Sequence, residues 1–424
     1  MRGKRLSTGL RTTLAMFALM LLATSTWAAT EKKLHNFHDN GTDGTYPAAG
    51  LIMDGEGNLY GTTRLGGDNN SGTVFELTPN GSGGWTEKKL HNFGNGTDGV
   101  SPEAGLIFDA AGNLYGTTSS GGDHQCGDSG CGTVFEMTPN GSGGWTEKKL
   151  HNFGNGTDGS VPLASLIFDA EGNLYGTTTY GGSHNAGTVF EMTPNGSGGW
   201  TEKKLHNFGS GTDGTYPVAS LVFDAAGNLY GTTRYGGNYL CASSAHYGCG
   251  TVFEMTPNGS GGWTEKKLHN FGINTADGAI PLADLIFDAA GNLYGTTTYG
   301  GNFNLGTAFE MTPNGSGGWT EKKLYNFGVN GSDGTYPYVD LIFDAVGNLY
   351  GTTGQGGSHN SGTAFKLTPG SGGWTETKLH NFNNNGTDGT YPDAGLIFDG
   401  AGNLYGTTSA GGDYNNGTVF EITP

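Results

Sequence analysis

Long apolar runs are absent from the sequence after residue 28. A helix that spans a membrane needs about 20 consecutive apolar residues, so we expect no membrane span in this part of the chain. Positive charge is also scarce, because 20 Lys and Arg stand against 38 Asp and Glu and give a net charge of −18. A chain this acidic repels polyanions, which argues against nucleic acid and anionic membranes as partners.

Charged residues of either sign make up only 14% of the chain, which argues against a charge-rich disordered protein. Glycine is abundant, with 82 residues, but it lacks the three-residue period of collagen. The composition therefore favours a folded chain.

The first 28 residues differ from the rest. Basic residues cluster before position 12, an apolar run extends from Leu14 to Ala23, and a Thr-x-Ala sequence ends at Ala28. This order is typical of a secretory signal peptide, and its apolar run is too short to span a bilayer. We predict a signal peptide over residues 1–28 and a mature protein that is secreted, periplasmic or extracellular. A retained N-terminal anchor is the alternative.

Only four cysteines occur, in two close pairs: Cys126 with Cys131, and Cys241 with Cys249. In an exported protein this spacing indicates two disulfide bonds. Because each bridge closes a short loop, we expect it to stabilise the fold by only about 2 kcal/mol. A zinc site that uses His124 or His246 beside the cysteines is the alternative, although the spacing matches no familiar zinc motif.

The string GNLYGTT occurs seven times, with starts 55 to 64 residues apart. The starts are Gly57, Gly112, Gly172, Gly227, Gly291, Gly347 and Gly402. A period near 55 residues is close to that of a β-propeller blade. The two longest spacings contain the two cysteine pairs, so each pair lies in an insertion on a constant frame.

Each repeat contains four runs that read as β-strands. In the second repeat they are Ala104–Asp109, Leu114–Thr118, Gly132–Thr138 and Trp145–Phe153, separated by Gly- and Asn-rich turns typical of antiparallel hairpins. The first run suits a crowded strand at the axis. The last run carries two lysines that would protect an outer edge from pairing with other chains. We predict this strand order from the axis outward.

The two chain ends complement each other. Residues Thr30 to Phe37 match a fourth strand without its first three, and residues Gly395 to Pro424 match three strands without a fourth. We predict an all-β fold over residues 29–424: a seven-bladed β-propeller with four antiparallel strands per blade, closed by the N-terminal strand joining the last blade. An open array of seven units is the alternative.

The unit D-x-x-G-N-L-Y-G-T-T-x-x-G-G, followed by G-T-V-F-E-[ML]-T-P, resembles the GloVer-type tandem repeat of exported bacterial proteins over residues 30–424. It is also similar to regulator-type propeller repeats with D-x-x-G-N-[LI]-W-x-G-T, with Tyr in place of Trp. The resemblance implies a β-propeller and an extracellular location. It implies no particular activity.

Two aspartates recur in every repeat. The first, Asp109 in the second repeat, precedes a tight turn, and we expect its side chain to accept backbone N–H groups there. The second lies in the loop between blades, where we predict ligand binding. Its seven positions are Asp43, Asp98, Asp158, Asp213, Asp277, Asp333 and Asp388. Turn formation is the alternative role. Calcium binding is a further alternative, although each loop offers one carboxylate and calcium takes six to eight oxygen ligands.

Aromatic residues fall into two groups. Those at fixed strand positions, such as Tyr115 and Trp145, are expected to pack between blades. Those in irregular loops are candidates for binding sugars, with packing beneath the loops as the alternative. Four lie in the inter-blade loops: Tyr46, Tyr216, Tyr336 and Tyr391. Others lie beside or within the loop after the second strand: Tyr180, Tyr235, Tyr299, Tyr239 and Tyr247. Both loops should lie on one face, which also carries the cysteine insertions.

The repeat shows no serine nucleophile motif, no phosphate-binding loop and no His/Glu metal cluster, so we predict no catalytic residues, metal or cofactor. The expected function is an exported, non-enzymatic binding module, multivalent for extracellular glycan or a protein partner, and we expect a monomer. One alternative is a polysaccharide hydrolase or lyase that uses blade-specific acids. These acids are Glu103, Asp284, Asp340 and Asp393. Another alternative is a structural surface or matrix protein.

Overall fold

A computed structural model describes residues 29–127, 129–241 and 247–424, so the predicted signal peptide and His246 lie outside the described residues. The described residues form strands and turns, with no helix among them. The strands make seven four-stranded and seven two-stranded antiparallel sheets. The predicted all-β, seven-bladed propeller is therefore confirmed.

The four-stranded sheets are the blades, with the first strand of each nearest the axis and the fourth at the rim. Blade 1 contains β3 (Ile52–Met53), β4 (Leu59–Thr63), β6 (Thr73–Pro79) and β7 (Trp85–Asn92); blade 2, β9 (Ile107–Phe108), β10 (Leu114–Thr118), β12 (Thr133–Pro139) and β13 (Trp145–Asn152); blade 3, β15 (Ile167–Phe168), β16 (Leu174–Thr178), β18 (Thr188–Pro194) and β19 (Trp200–Asn207). Blade 4 contains β21 (Val222–Phe223), β22 (Leu229–Thr233), β24 (Thr251–Pro257) and β25 (Trp263–Asn270); blade 5, β27 (Ile286–Phe287), β28 (Leu293–Thr297), β30 (Thr307–Pro313) and β31 (Trp319–Asn326). Blade 6 contains β33 (Ile342–Phe343), β34 (Leu349–Thr353), β36 (Thr363–Gly370) and β37 (Gly373–Asn381); blade 7, β39 (Ile397–Phe398), β40 (Leu404–Thr408), β42 (Thr418–Thr423) and β1 (Thr30–Asn36).

Each two-stranded sheet joins an inter-blade loop to the start of the loop after the second strand. The pairs are β2 (Gly44–Thr45) with β5 (Leu65–Gly66), β8 (Gly99–Val100) with β11 (Ser120–Gly121), β14 (Gly159–Ser160) with β17 (Tyr180–Gly181), β20 (Gly214–Thr215) with β23 (Tyr235–Gly236), β26 (Gly278–Ala279) with β29 (Tyr299–Gly300), β32 (Gly334–Thr335) with β35 (Gln355–Gly356), and β38 (Gly389–Thr390) with β41 (Ala410–Gly411). The sequence did not predict these sheets, because two residues are too few to carry a periodic pattern.

The ring closes as predicted. Strand β1 pairs antiparallel with β42, from Thr30 opposite Thr423 to Asn36 opposite Thr418. Phe37, which follows β1, is fully buried, and its ring lies 5.2 Å edge-on from that of Phe75 in blade 1. The N-terminal strand therefore supplies both the last hydrogen-bonded edge of blade 7 and part of its interface with blade 1.

Aromatic side chains fill the interfaces between blades, as predicted. The ring of Tyr60 in blade 1 lies 5.2 Å edge-on from Phe108 and 6.3 Å from Trp145, both in blade 2. Edge-to-face pairs at this separation are favourable beyond the area they bury. The same contacts recur around the ring, so the constant aromatic positions of the repeat are structural.

The two outer-strand lysines connect blades, a role beyond the edge protection that we predicted. Lys88 in blade 1 donates to the carbonyl of Gly143 in blade 2, at 2.7 Å. Lys89 donates in the opposite direction, to the carbonyl of Thr42 in the loop that enters blade 1, at 2.6 Å. The second contact recurs in all seven blades and the first in five of them. Blade 6 has Thr377 in place of the first lysine, and Lys322 of blade 5 has no such bond among the described residues.

The turn aspartate has the structural role that we predicted. One carboxylate oxygen of Asp109 accepts the backbone N–H groups of Ala111 and Asn113, and the other accepts the amide of Asn113 and the hydroxyl of Tyr115. Partial burial alone raises the pKa of Asp109, but these hydrogen bonds outweigh it and hold the pKa below its usual value. Both oxygens are used within the turn.

If β1 completes blade 7 in solution, a substitution in the interface of blades 7 and 1 should destabilise the protein as much as the same substitution in any other interface. Phe37 and Phe208 are both 0% exposed and have equivalent partners. We expect Phe37→Ala and Phe208→Ala each to reduce the free energy of unfolding by about 3–5 kcal/mol, measured by urea denaturation. A Phe37→Ala variant as stable as the unmodified protein would contradict closure by β1.

Candidate functional site

The irregular loops gather on one face of the ring, as predicted. In blade 1 this face is formed by residues 38–50 and 64–72, and with the equivalent residues of the other blades we call it the loop face. Pairing of Gly44 with Gly66 and of Thr45 with Leu65 holds the two loops together. The opposite face carries the tight turns after the first and third strands and is called the turn face.

Each inter-blade loop contains one residue with a left-handed backbone conformation, φ between 56° and 58°. These residues are Tyr46, Ser101, Val161, Tyr216, Ile280, Tyr336 and Tyr391. Such a conformation is costly for residues other than glycine, above all for β-branched Val161 and Ile280. Backbone hydrogen bonds hold it in place: the N–H of Tyr46 donates to Asn416 in blade 7, and its carbonyl accepts from Arg64. The same left-handed residue therefore recurs at one position in every inter-blade loop, held by the neighbouring blade.

Exposed apolar side chains concentrate on the loop face. Ten large apolar residues are exposed among those the structure describes, and nine of them lie in the loops of this face. The nine are Tyr46, Tyr180, Leu240, Tyr247, Ile273, Phe303, Val329, Tyr391 and Tyr414. The tenth, Val346, lies on the turn face. Among the described residues, exposed apolar side chains are therefore distributed unequally between the two faces.

Six of the nine candidate loop tyrosines form two separate groups, and a seventh, Tyr239, packs against the core between blades 4 and 5. In blades 3 and 4 the ring of Tyr216 lies 5.2 Å from Tyr180 and 6.1 Å from Tyr235, whose ring lies 5.6 Å from Tyr247. The guanidinium of Arg234 lies 4.9 Å from the centroid of Tyr235. We call these five residues the tyrosine band.

The second group lies in blades 5 and 6. Here Tyr336 contacts Tyr299 edge-on at 5.2 Å and stacks on Tyr338 at 6.5 Å. Tyr46 and Tyr391 are exposed on other blades. We had not singled out Tyr338. The equivalent positions of the other blades hold Ala, Glu, Leu, Val, Leu and Asp, so the signal in the sequence was an aromatic residue at a position that varies from blade to blade.

Seven residues just before the first strands surround the propeller axis: Gly50, Gly105, Ser165, Ser220, Asp284, Asp340 and Gly395. Three hydrogen bonds link four of them in sequence. Ser165 N–H donates to Ser220 Oγ at 3.1 Å, Ser220 N–H to Asp284 Oδ1 at 2.5 Å, and Asp284 N–H to Asp340 Oδ1 at 2.7 Å. Two carboxyl groups therefore lie together where the blades converge.

Burial raises the pKa of Asp284. Burial, reinforced by repulsion from Asp284, raises the pKa of Asp340 to about 8. The other blade-specific acids have different partners: Glu103 accepts from Ser119, and Asp393 accepts from Ser409. The structure thus brings two of the four alternative catalytic acids together and leaves the other two apart.

The inter-blade aspartates have partners that we did not predict. In the loop between blades 1 and 2, Asp98 Oδ1 accepts the N–H of Gly99 at 2.7 Å, and Asp98 Oδ2 lies 2.9 Å from Nε2 of His91 on the outer strand of blade 1. Oδ1 therefore stabilises the turn, which is the role we gave as the alternative to ligand binding. The other faces a histidine at the rim of the ring.

A glutamate from the following blade completes a cluster at four of the seven rim junctions. Ligand atoms lie within 4.8 Å of one another in His91–Asp98–Glu147, His151–Asp158–Glu202, His206–Asp213–Glu265 and His380–Asp388–Glu31. Our expectation of no His/Glu cluster was therefore wrong. The histidine of one repeat meets the glutamate of the next, so a single repeat does not show the pairing. The signal available was that both residues recur in nearly every outer strand.

A β-bulge directs the histidine into this junction. In blade 1 the register shifts between Val74, opposite His91, and Phe75, opposite Lys89. Leu90 is left as the extra residue and packs in the interface with blade 2. In a regular strand His91 would point away from Leu90, but bulges re-aim side chains. Both residues therefore contact the following blade.

The remaining three rim junctions lack a close histidine–aspartate pair. The His35–Asp43 and His269–Asp277 pairs are 3.8 and 3.5 Å apart, and Tyr325 replaces histidine opposite Asp333. In these three junctions and in that of Asp388, the inter-blade loop is one residue longer than in the loops of Asp98, Asp158 and Asp213. In each of the four longer loops a backbone N–H donates to Oδ2 of the aspartate. No such backbone donor reaches Oδ2 of Asp98, Asp158 or Asp213 within the described ranges.

The cluster glutamates are poorly solvated. Burial, followed by repulsion from the aspartate and opposed by the histidine, raises the pKa of Glu147, Glu202 and Glu265 to about 7. In the part of the chain that the structure describes, Oε1 of Glu202 and of Glu265 is buried without a hydrogen-bond partner. Such atoms are rare in folded proteins and call for an explanation.

The sequence matches the Gloeobacter/Verrucomicrobia repeat family over residues 21–241 and 239–424. The chain belongs to this family. Comparison with curated proteins gives no match. Among solved structures, the chain is similar to the extracellular domain of a protein described as a hybrid two-component system of B. thetaiotaomicron, with 11% identity and a TM-score of 0.51. The similarity covers 92% of this chain and 39% of that chain, and at this identity it supports the fold alone.

The motif residues of this repeat family belong to the frame. All five residues of each LYGTT strand are buried, as in β4 and β10. The candidate binding residues lie in the loops, where the repeats differ. Both predicted disulfides, Cys126–Cys131 and Cys241–Cys249, are present in two of these loops, which excludes the zinc site with cysteine ligands.

The axial carboxyl pair gives a pH-dependent prediction. A carboxyl whose pKa rises from about 4 in the unfolded chain to about 8 in the folded one binds its proton more tightly when folded. Stability therefore falls as the pH rises through this window. We expect Asp340→Asn to remove part of this fall, so that the variant is more stable than the unmodified protein at pH 8.5 by at least about 1 kcal/mol and equally stable at pH 4.

Urea denaturation across this pH range measures the effect. Asp39→Asn, at an exposed position, is the matched control and should leave the pH profile unchanged. Parallel profiles for Asp340→Asn and the unmodified protein would show that the axial carboxyls are solvated.

Proposed function

We propose that this chain is an exported, non-enzymatic binding propeller that engages extracellular glycan or a protein partner through its loop face. The observation that carries the proposal is the placement of nine of the ten exposed large apolar residues, within the described residues, on that face. A rigid frame that presents variable loops is a common basis for recognition. Exposed apolar surface on one side is typical of an interaction site.

Glycan is the ligand class that the tyrosine band favours. Aromatic rings stack on the apolar faces of sugars, and tyrosine hydroxyls and the Arg234 guanidinium can hydrogen-bond to hydroxyl groups. Tyr180 is 43% exposed, so its ring is available to a ligand. Because the two tyrosine groups differ in composition, we infer unequal sites rather than seven equivalent ones.

Export is supported by two observations. Residues 1–28 have the pattern of a signal peptide, and the chain contains two disulfide bonds, which persist in oxidising compartments. The described residues contain no helix that is long and apolar enough to cross a membrane.

A polysaccharide hydrolase or lyase is the second candidate, and the axial pair favours it. Two neighbouring carboxyl groups, one with a pKa near 8, resemble the acid and base that such chemistry uses. Both carboxyl groups, however, accept backbone N–H groups within the ring. We therefore favour a role in closing the axis.

Binding of the mature chain to a panel of soluble polysaccharides tests the proposal. We expect Tyr180→Ala and Tyr247→Ala each to weaken binding by about tenfold or more, the effect of removing a central aromatic contact. Tyr414→Ala is the matched control, because Tyr414 is exposed on the loop face outside the tyrosine band. Equal affinity of all three variants and the unmodified protein would contradict a site at the tyrosine band.

The same panel separates the candidates. The double variant Asp284→Asn/Asp340→Asn should retain binding if the protein is a binding module. Release of reducing ends or unsaturated products by the unmodified protein, abolished in the double variant, would establish the enzyme instead. Concentration-dependent self-association with no glycan bound would favour a structural matrix protein.

A further inference from the structure

The cleft between blades 2 and 3 contains four side chains that can ligate a metal. A cavity of about 360 Å³ is lined by His124, His151, Asp158 and Glu202. His151 belongs to β13, Asp158 to the inter-blade loop, and Glu202 to β19 of the next blade. His124 lies two residues before the Cys126–Cys131 disulfide, in the same loop. Four chain segments thus converge on one cavity.

We propose that this cleft is a binding site for a divalent transition-metal ion of the zinc class, with His124, His151, Asp158 and Glu202 as its ligands. The proposal is independent of the proposed function, because the cleft lies at the rim and the tyrosine band does not contribute to it.

The spacing of three of the four side chains fits such an ion, whereas His124 lines the same cavity but lies outside the group of mutually close donor atoms. One donor atom from each of His151, Asp158 and Glu202 lies within 4.8 Å of the other two, and Nε2 of His151 is 2.9 Å from Oδ2 of Asp158. Zinc binds nitrogen and oxygen at about 2.0–2.2 Å in a tetrahedron, which places its ligands about 3.4 Å apart. Small side-chain rotations would bring these atoms to that spacing.

Two carboxylate oxygens in the cleft have few hydrogen-bond donors and could therefore bind an ion. Oε1 of Glu202 is buried without a hydrogen-bond partner among the described residues. The Asp158 side chain is 8% exposed, and its Oδ2 interacts with His151 but with no backbone donor in the described part of the loop. A cation in the cleft would satisfy both oxygens.

The donor set also indicates which ion. Imidazole nitrogen together with carboxylate oxygen suits zinc and its neighbours, whereas calcium takes six to eight oxygen ligands. The cleft supplies two imidazoles and two carboxylates. We therefore infer a zinc-class ion, and the calcium alternative for the inter-blade aspartates receives no support at this junction.

A neighbouring junction repeats the design. His184 occupies the loop position of His124 in blade 3 and lines a cavity with Asp213, whose cluster partners are His206 and Glu265. Between blades 1 and 2 the equivalent loop residue is Asn69, whose amide donates to the carbonyl of Phe93. That junction keeps three ligands and lacks the second histidine, so it should bind an ion more weakly.

The test is a titration of the full mature chain, with disulfides intact and chelator removed, with Zn²⁺ by calorimetry and with Co²⁺ by visible absorption. A third junction, between blades 6 and 7, also has a loop histidine, His359, beside the His380–Asp388–Glu31 cluster, but there the N–H of Asn383 already donates to Oδ2 of Asp388. We therefore expect two tighter sites per chain and a Co²⁺ spectrum typical of four-coordinate nitrogen and oxygen ligation. His124→Ala and Glu202→Gln should each remove one tighter site or weaken it at least about tenfold. His38→Ala is the matched control, because its ring stacks on Tyr414 outside the clusters.

Thermal unfolding of each variant without metal shows whether it is folded. Folded variants that bind Zn²⁺ and Co²⁺ like the unmodified protein would overturn the proposal, as would an unmodified protein that binds neither ion or binds only Ca²⁺. Glycan binding of the metal-free chain separates the two proposals: its loss in Tyr180→Ala and retention in His124→Ala would show that the two sites are independent.

Discussion

The packing of each blade's large side chains against the next blade is the interaction on which the whole structure depends. Fully buried phenylalanines meet edge to face across every junction, as Phe93 and Phe135 do at 5.1 Å. No single blade can bury these rings alone, so the interfaces become complete only when the ring closes. Closure requires β1, and Phe37 places in the last junction the same ring that the other blades supply. The constant residues of the repeat therefore encode a closed frame.

This frame explains the separation between constant and variable surfaces. The turn aspartates and the buried LYGTT strands fix the blades, while the inter-blade loops are held to the loops after the second strands by short two-stranded sheets. The strained residue in each inter-blade loop is stabilised by backbone hydrogen bonds to the neighbouring blade. Loops anchored in this way can differ in sequence without loss of the frame, and the exposed aromatic residues lie on them.

The sequence was sufficient to predict the strand order, the turn role of Asp109, the aromatic packing between blades and the closure by β1, because each rests on residues at fixed positions of the repeat. Side-chain groupings that depend on local backbone irregularity were not predictable in the same way. The pairing of His91 with Glu147 depends on blade adjacency and on a bulge at Leu90, and neither is visible in one repeat. The tyrosine band depends on loop conformations that follow no period, so its members could be named as candidates but could not be grouped.

The central claim is that the loop face is the binding surface. Hydroxyl-radical footprinting of the mature chain, with and without a polysaccharide that binds it, tests this claim directly. We predict that labelling of Tyr180 and Tyr247 falls in the complex, while labelling of Val346, which is 80% exposed on the turn face, does not change. Protection of Val346 and the turn-face residues, with the loop-face tyrosines labelled as in the free protein, would contradict it.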